Sequence, residues 1–243
     1  LLQTLAQCDF AQSTHVILCA DHGDMPGERG LWSKMNFFEG SVRVPLIVAA
    51  PDEQTGRRVN TPVALHDLLP TLVELAGGDQ VMIVGDIDGQ SVLALARGEE
   101  QPLRAACAEY CAEYCAEYCA EGSVSPMIMI RRGQYKFNYC ASDPNQLFDL
   151  SVDPLEANNL ASDPAHASMV TAFTREISTR WNLDQFTRDV RLSQKQRSLV
   201  SGANRIGKFA AWDYQPQADA RERFMRNHMG LNTLEASARY PKP

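Results

Sequence analysis

Two short apolar runs, separated by a glycine-rich acidic segment, constrain what this chain can fold into more than any other feature. "THVILCA", residues 14–20, is rich in apolar and β-branched residues and stops at Asp21, and "SVRVPLIVAAP", residues 41–51, is closed by Pro51. Runs this short, bounded by turn residues, read as buried strands. Residues 1–12 carry Leu and Ala at helical spacing. In "TPVALHDLLPTLVELAGG", residues 61–78, a broad face gathers Val63, Leu65, Leu68, Leu69, Leu72, Val73 and Leu75 before Gly77 and Gly78 stop the helix. Strands alternating with helices predict an α/β class with a parallel sheet covered by helices.

The second half changes character. "PMIMIRRGQYKFNYC" is two apolar runs around "RRGQ", the pattern of an antiparallel hairpin, and "NQLFDL" adds a further strand. "DPAHASMVTAFTREISTRW" is a helix with Asp or Ser near its start, and "LDQFTRDVRLSQKQRSLVSG" is another, closed by Gly202. From Ala210 onward the chain is polar and aromatic with little periodicity, a tail that needs a surface to lie on.

A net charge of -7 and the lack of any Lys/Arg run exclude partners held by a broad basic surface, so neither nucleic acid nor an anionic membrane is expected. No apolar run approaches the roughly 18 residues of a membrane span, and the first residues lack a secretory pattern. The chain starts without Met, which suggests a piece of something longer. Seven cysteines, four of them at 107, 111, 115 and 119, do not form a disulfide framework and point to a reducing, cytoplasmic setting. Those four belong to "CAEYCAEYCAEYCAEG", whose period is too short for a solenoid. Helical spacing would put its cysteines on one face as a soft-metal site. A tandem expansion of one "CAEYCAEG" is the favoured reading, since no His or CxxC pattern accompanies it.

The segment after the first strand carries the chemistry. Asp21 and His22 sit where a buried strand runs out, the edge at which ligands bind in open α/β sheets. A carboxylate beside an imidazole, with Gly23 permitting close backbone approach, supplies two ligands to a divalent cation, and the others must come from elsewhere. Lys34 follows as a point charge suited to an anionic oxygen. Asp-His-Gly alone also serves as a capped turn, and spacing does not decide between the two.

"DHGDMPGERGLWSKMNFFEGSVRVPLIVAAP" resembles the sulfatase branch of the alkaline phosphatase superfamily, and choline-sulfatases above all, which carry Leu where this chain has Pro26. The resemblance continues through "LHDLLPTLVELAG", "EYCAEG", "MIRRGQYKF", "DPNQLFDLSVDPLEANNLA" and "WDYQP…RNHMGLNTLEASARYP", nearly the whole chain. The last of these is similar to the C-terminal extension that sets choline-sulfatases apart. The implied fold is the C-terminal part of a sulfatase-like sandwich: a parallel sheet covered by helices, a smaller antiparallel sheet and an extended tail. The implied division is 1–122 in the catalytic α/β domain, 123–184 in the smaller subdomain and 185–243 as the extension.

The resemblance further implies that Asp21 and His22 ligate or flank one divalent cation, usually calcium, with Mn2+ or Mg2+ as alternatives, and that Lys34 contacts the sulfate. A glutamate of the "EY-x-AEG" segment would face the quaternary ammonium of choline. Counting back from "AEG" gives Glu117 or Glu121, whereas counting forward from the preceding strand gives Glu109. Tyr110, Tyr114, Tyr118, Trp212 and Tyr214 are aromatic candidates for the same site or its rim. The family's nucleophile is formylglycine, made from Cys or Ser in a C/S-x-P-x-R motif, and no such motif occurs in this chain. The expectation is therefore a C-terminal half, inactive alone, of an enzyme that hydrolyses choline-O-sulfate to choline and sulfate, with homo-oligomer formation through the tail. Two other readings stay open: another sulfatase or phosphoester hydrolase of the superfamily, and a non-catalytic truncated or oligomerisation module.

Overall fold

A computed structural model of the chain describes residues 2–32, 34, 36–51, 56–78, 85–110 and 125–206. The chain divides into two compact units, one comprising Leu1–Glu109, Ile128–Tyr139 and Asp143–Thr174, the other Tyr110–Met127, Cys140–Ser142 and Arg175–Pro243. Among the described residues no helix is long and apolar enough to cross a membrane.

The first unit opens with a short helix, α1 (Leu2–Gln7), which ends well before residue 12, where Asp9 takes a positive φ of 59°. β1 (Val16–Cys19) follows, then a 3-10 turn at Glu28–Gly30, the one-turn helix α2 (Glu39–Val42) and β2 (Leu46–Ala49). The expected parallel sheet is not present among the described residues: β1 and β2 pair antiparallel, in register from Val16 with Ala49 to Cys19 with Leu46. A parallel return needs a crossover, usually a helix. The segment joining these strands instead holds Gly23, Pro26, Gly27, Gly30 and Gly40 and turns the chain back on itself. Nor do helices cover the face that carries the cross-strand partners Leu18 and Ile47, which are 53% and 60% exposed.

α3 (Leu68–Leu75) lies where the apolar periodicity placed it. The Gly77 amide donates to Glu74 O and the Gly78 amide to Val73 O, both at 2.9 Å, with Gly77 at φ +78°. This is the terminal turn that a glycine makes inexpensive. The helix is seated by Asp67 rather than by its leucines. Its carboxylate accepts the amides of Ala64 and Gln90 at 2.8 Å and pairs with Arg104 Nη2 at 2.8 Å, all three around a nearly buried side chain. Leu69 and Leu72 are about half exposed. α4 (Leu93–Arg97), which the apolar pattern had not singled out, buries Leu93 and Leu95.

The antiparallel half of the expectation is present as a four-stranded sheet, ordered β3-β4-β5-β6, from β3 (Ala105–Tyr110), β4 (Met127–Arg132), β5 (Tyr135–Cys140) and β6 (Gln146–Asp149). β4 and β5 are the hairpin read from "RRGQ", turning at Gly133 with φ +54°. β5 pairs antiparallel with β6. Ile128, Met129 and Ile130 are buried in succession, and successive strand residues point to opposite faces, so β4 is covered on both sides. Phe137 stacks on Phe173, ring centroids 5.3 Å apart, while its fully buried neighbour Lys136 faces the other side. Phe173 belongs to α5 (Ala167–Arg180), entered by a 3-10 turn whose cap is Asp163 accepting the Ala165 amide at 2.9 Å. α6 (Leu183–Ile206) runs past the expected stop at Gly202. A glycine inside a helix costs only about 1 kcal/mol, and nothing there imposes a left-handed turn.

Only the first copy of the repeat, Cys107–Tyr110, lies among the described residues, and it is strand rather than helix. The other copies, including Tyr114, Tyr118, Glu117 and Glu121, and the tail with Trp212 and Tyr214 lie outside them.

Candidate active-site loop

β1 ends at Cys19, so Asp21 and His22 emerge at the end of a strand whose position is pinned by its pairing with β2. Asp21 is almost fully exposed, its carboxylate turned back onto the His22 amide, which donates to Oδ1 at 3.0 Å. That amide is the largest cause holding the Asp21 carboxyl below its ordinary value, and the Lys34 ammonium acts in the same direction.

The imidazole is fixed from both ends. His22 Nδ1 lies 2.8 Å from Gly23 O, and His22 Nε2 lies 2.7 Å from Lys34 Nζ. A carbonyl oxygen can only accept and an ammonium can only donate, so the network assigns the ring proton to Nδ1 and leaves a lone pair on Nε2. Nε2 is also 3.3 Å from Asp21 Oδ2. Two lone-pair donors this close, with no proton between them, need a cation, and here the Lys34 ammonium supplies the charge. The structure therefore brings Lys34 to the adjacent Asp21 and His22, twelve residues on from His22 in sequence.

A carboxylate oxygen and an imidazole nitrogen oriented by a backbone carbonyl fit two positions around a hard or borderline divalent cation. They do not fill one. Calcium takes six to eight ligands, and among the described residues no three of His, Cys, Asp and Glu cluster as a metal site.

The loop is held by groups that sequence reasoning did not single out. The Gly23 amide donates to Ser41 O at 2.7 Å, and the Ser41 hydroxyl donates to Lys34 O. A Cβ on Gly23 would run into the Gly40 backbone carbonyl, so that position needs glycine, whereas one on Gly40 would meet the Met25 side chain at 2.8 Å and require it to shift. α2, which carries Gly40 and Ser41, is anchored at its start by Glu156, whose Oε2 accepts the Glu39 amide at 2.7 Å. Lys136, buried in β5, lies 2.9 Å from Glu39 Oε1 and 2.7 Å from Glu156 Oε1. Arg29 closes the arrangement from the loop itself, donating to the carbonyls of Leu155 and Glu156 and lying 4.2 Å over the Phe38 ring. A close pair of glycines and a lysine between apolar strand residues were the available signals, but each reads equally as ordinary packing.

Residues 27–182 match the family model described as N-sulphoglucosamine sulphohydrolase, C-terminal, a span of more than half the chain. The chain belongs to the sulfatase family. A second family model, choline sulfatase enzyme C terminal, matches residues 188–240 of this sulfatase region. The region is 44% identical to choline-sulfatase of Rhizobium meliloti over 100% of its own length and 46% of that protein's. It is 31% identical to mouse (Mus musculus) arylsulfatase K over 67% of this chain and 30% of that one. Among solved structures it resembles the phosphonate monoester hydrolase of Silicibacter pomeroyi, with a TM-score of 0.63, 26% identity, and coverage of 73% of this chain and 36% of that one. The sulfatase region thus spans less than half the length of the curated relatives it matches.

Proposed function

We propose that this sulfatase region works within a complete choline-sulfatase, hydrolysing choline-O-sulfate to choline and sulfate, with the formylglycine nucleophile carried outside residues 1–243. The observation that carries this reading is the match of residues 188–240 to the choline sulfatase C-terminal model, beside 44% identity to a choline-sulfatase along the entire chain. The exposed β1–β2 pair supports it too: Leu18 and Ile47 offer an apolar face for the rest of a larger domain to cover.

In this reading Asp21 and His22 hold a divalent cation, calcium first and Mn2+ or Mg2+ as alternatives. When bound, that cation stabilises charge on the sulfuryl oxygens. The hydrogen bond from His22 Nδ1 to Gly23 O would leave Nε2 as the ligating atom. Lys34, whose ammonium lies 2.7 Å from His22 Nε2, would contact a sulfate oxygen. Glu117 or Glu121 faces the choline cation, and the tail within 185–243 assembles the homo-oligomer. Residues 1–122 belong to the catalytic domain and 123–184 to the smaller one, in a protein of the reducing cytoplasm, a setting in keeping with the exposed thiols of Cys8 and Cys19.

A second reading has an observation behind it, the likeness to arylsulfatase K and to a phosphonate monoester hydrolase. Rates of the complete protein on choline-O-sulfate, an aryl sulfate and an aryl phosphonate separate the two. The choline-sulfatase reading requires choline-O-sulfate to have the highest kcat/KM, and a preference for either aryl ester overturns it.

A further inference from the structure

Ser41 is 2% exposed and bonds to both ends of the loop that carries Asp21, His22 and Lys34. Its carbonyl accepts the Gly23 amide at 2.7 Å, directly after His22, and its hydroxyl donates to the Lys34 carbonyl. With Lys34 Nζ 2.7 Å from His22 Nε2, the loop closes into a ring that passes through one buried serine. The serine itself stands on a fixed platform, since the amide at the start of α2 is held by Glu156 and the ion pairs of Lys136 hold Glu39 and Glu156.

We propose that Ser41 is a positioning residue: its side chain sets where Lys34 meets the sulfate, while its backbone independently holds the Asp21–His22 arm. The proposal rests on the reading of those three residues as the cation- and sulfate-facing groups. It has a separable signature, because a side-chain substitution removes the tether to Lys34 and leaves the Gly23–Ser41 backbone bond in place. Ser41→Ala then frees the backbone of Lys34 but not that of His22.

The test uses the complete protein with choline-O-sulfate as substrate and calcium as the titrated cation. Ser41→Ala lowers kcat/KM by about tenfold, the scale of one lost buried hydrogen bond on a group that must be aligned. Calcium affinity stays at the wild-type value, and Ser41→Thr, which keeps the hydroxyl, restores most of the rate. In a Lys34→Ala background, Ser41→Ala adds no further loss, which a merely structural serine would not reproduce. Should Ser41→Ala fail to fold, Ser41→Cys carries the same comparison with a weaker donor and a loss of a few fold. Wild-type kcat/KM in the folded Ser41→Ala or Ser41→Cys variant, an equal loss of calcium affinity, or a full additional loss in the Lys34→Ala background overturns the proposal. Asp21→Asn distinguishes the levels: if it abolishes calcium binding while Ser41→Ala is silent, only the positioning role falls. If Asp21→Asn leaves calcium binding intact, the site reading beneath it falls as well.

Discussion

Replacing Lys136 by Met tests how the candidate active-site loop is anchored. Lys136 is fully buried, with its ammonium 2.9 Å from Glu39 Oε1 and 2.7 Å from Glu156 Oε1. Methionine fills nearly the same volume, so the perturbation is the loss of charge and donors, not a cavity. The Glu39 side chain is 22% exposed and can turn to water, whereas that of Glu156 is 2% exposed and cannot. Removing one partner of a buried pair costs about 3–5 kcal/mol, chiefly from the charge left behind. At about 2–4 °C per kcal/mol for a chain of this size, Tm falls by about 6–20 °C. Thermal and urea unfolding followed by circular dichroism read this directly. Lys136→Met with Glu156→Gln recovers part of the loss, because a neutral amide oxygen still accepts the Glu39 amide without stranding a charge. A Lys136→Met protein within about 1 kcal/mol of wild type, or a double variant no more stable than the single one, refutes the anchoring argument.

Gly23→Ala drives a methyl group into the Gly40 carbonyl and destabilises by about 1–3 kcal/mol in urea unfolding, and a neutral substitution would show that the two loop segments are not in contact. The Asp153 carboxyl is held below its ordinary value by the amides of Asn158 and Ala157, so its contribution to stability is present above the unfolded pKa and is lost as pH falls through the lower folded value. The stability gap between wild type and Asp153→Ala, measured by urea unfolding from pH 7 downward, therefore closes only below about pH 4, and a gap independent of pH contradicts the cause assigned. Calcium at a hundred times its Kd raises the stability of the complete protein by about 2.7 kcal/mol, EDTA reverses the gain, and Asp21→Asn abolishes it. An equal shift in Asp21→Asn places the cation elsewhere.

What the sequence made legible followed how locally each feature is determined. The α3 stop at Gly77 and Gly78, the hairpin at "RRGQ" and the Asp163 cap were readable because each depends on a few adjacent residues. The direction of β2 was not readable. "THVILCA" and "SVRVPLIVAAP" have the same composition whether paired parallel or antiparallel, and the distinction lies in the path of the glycine-rich segment between them. In the site, Asp21 and His22 stood out because they are polar groups at the end of an apolar run, and Lys34 as a point charge in the glycine-rich segment that follows. Lys136 and Glu156 did not, since what they do depends on partners 97 and 117 residues away along the chain, and Ser41 did not because its partners lie across a loop whose path the sequence does not give. The tertiary fold creates those contacts, and no local pattern announces them.

The measurement closest to the central claim is anomalous diffraction from crystals of the complete protein soaked in Mn2+, which scatters anomalously where calcium gives little signal. The account predicts a peak within about 2.0–2.6 Å of both an Asp21 carboxylate oxygen and His22 Nε2, with the Lys34 ammonium turned away from His22. A peak coordinated by other residues, with His22 Nε2 still bonded to Lys34, would contradict it.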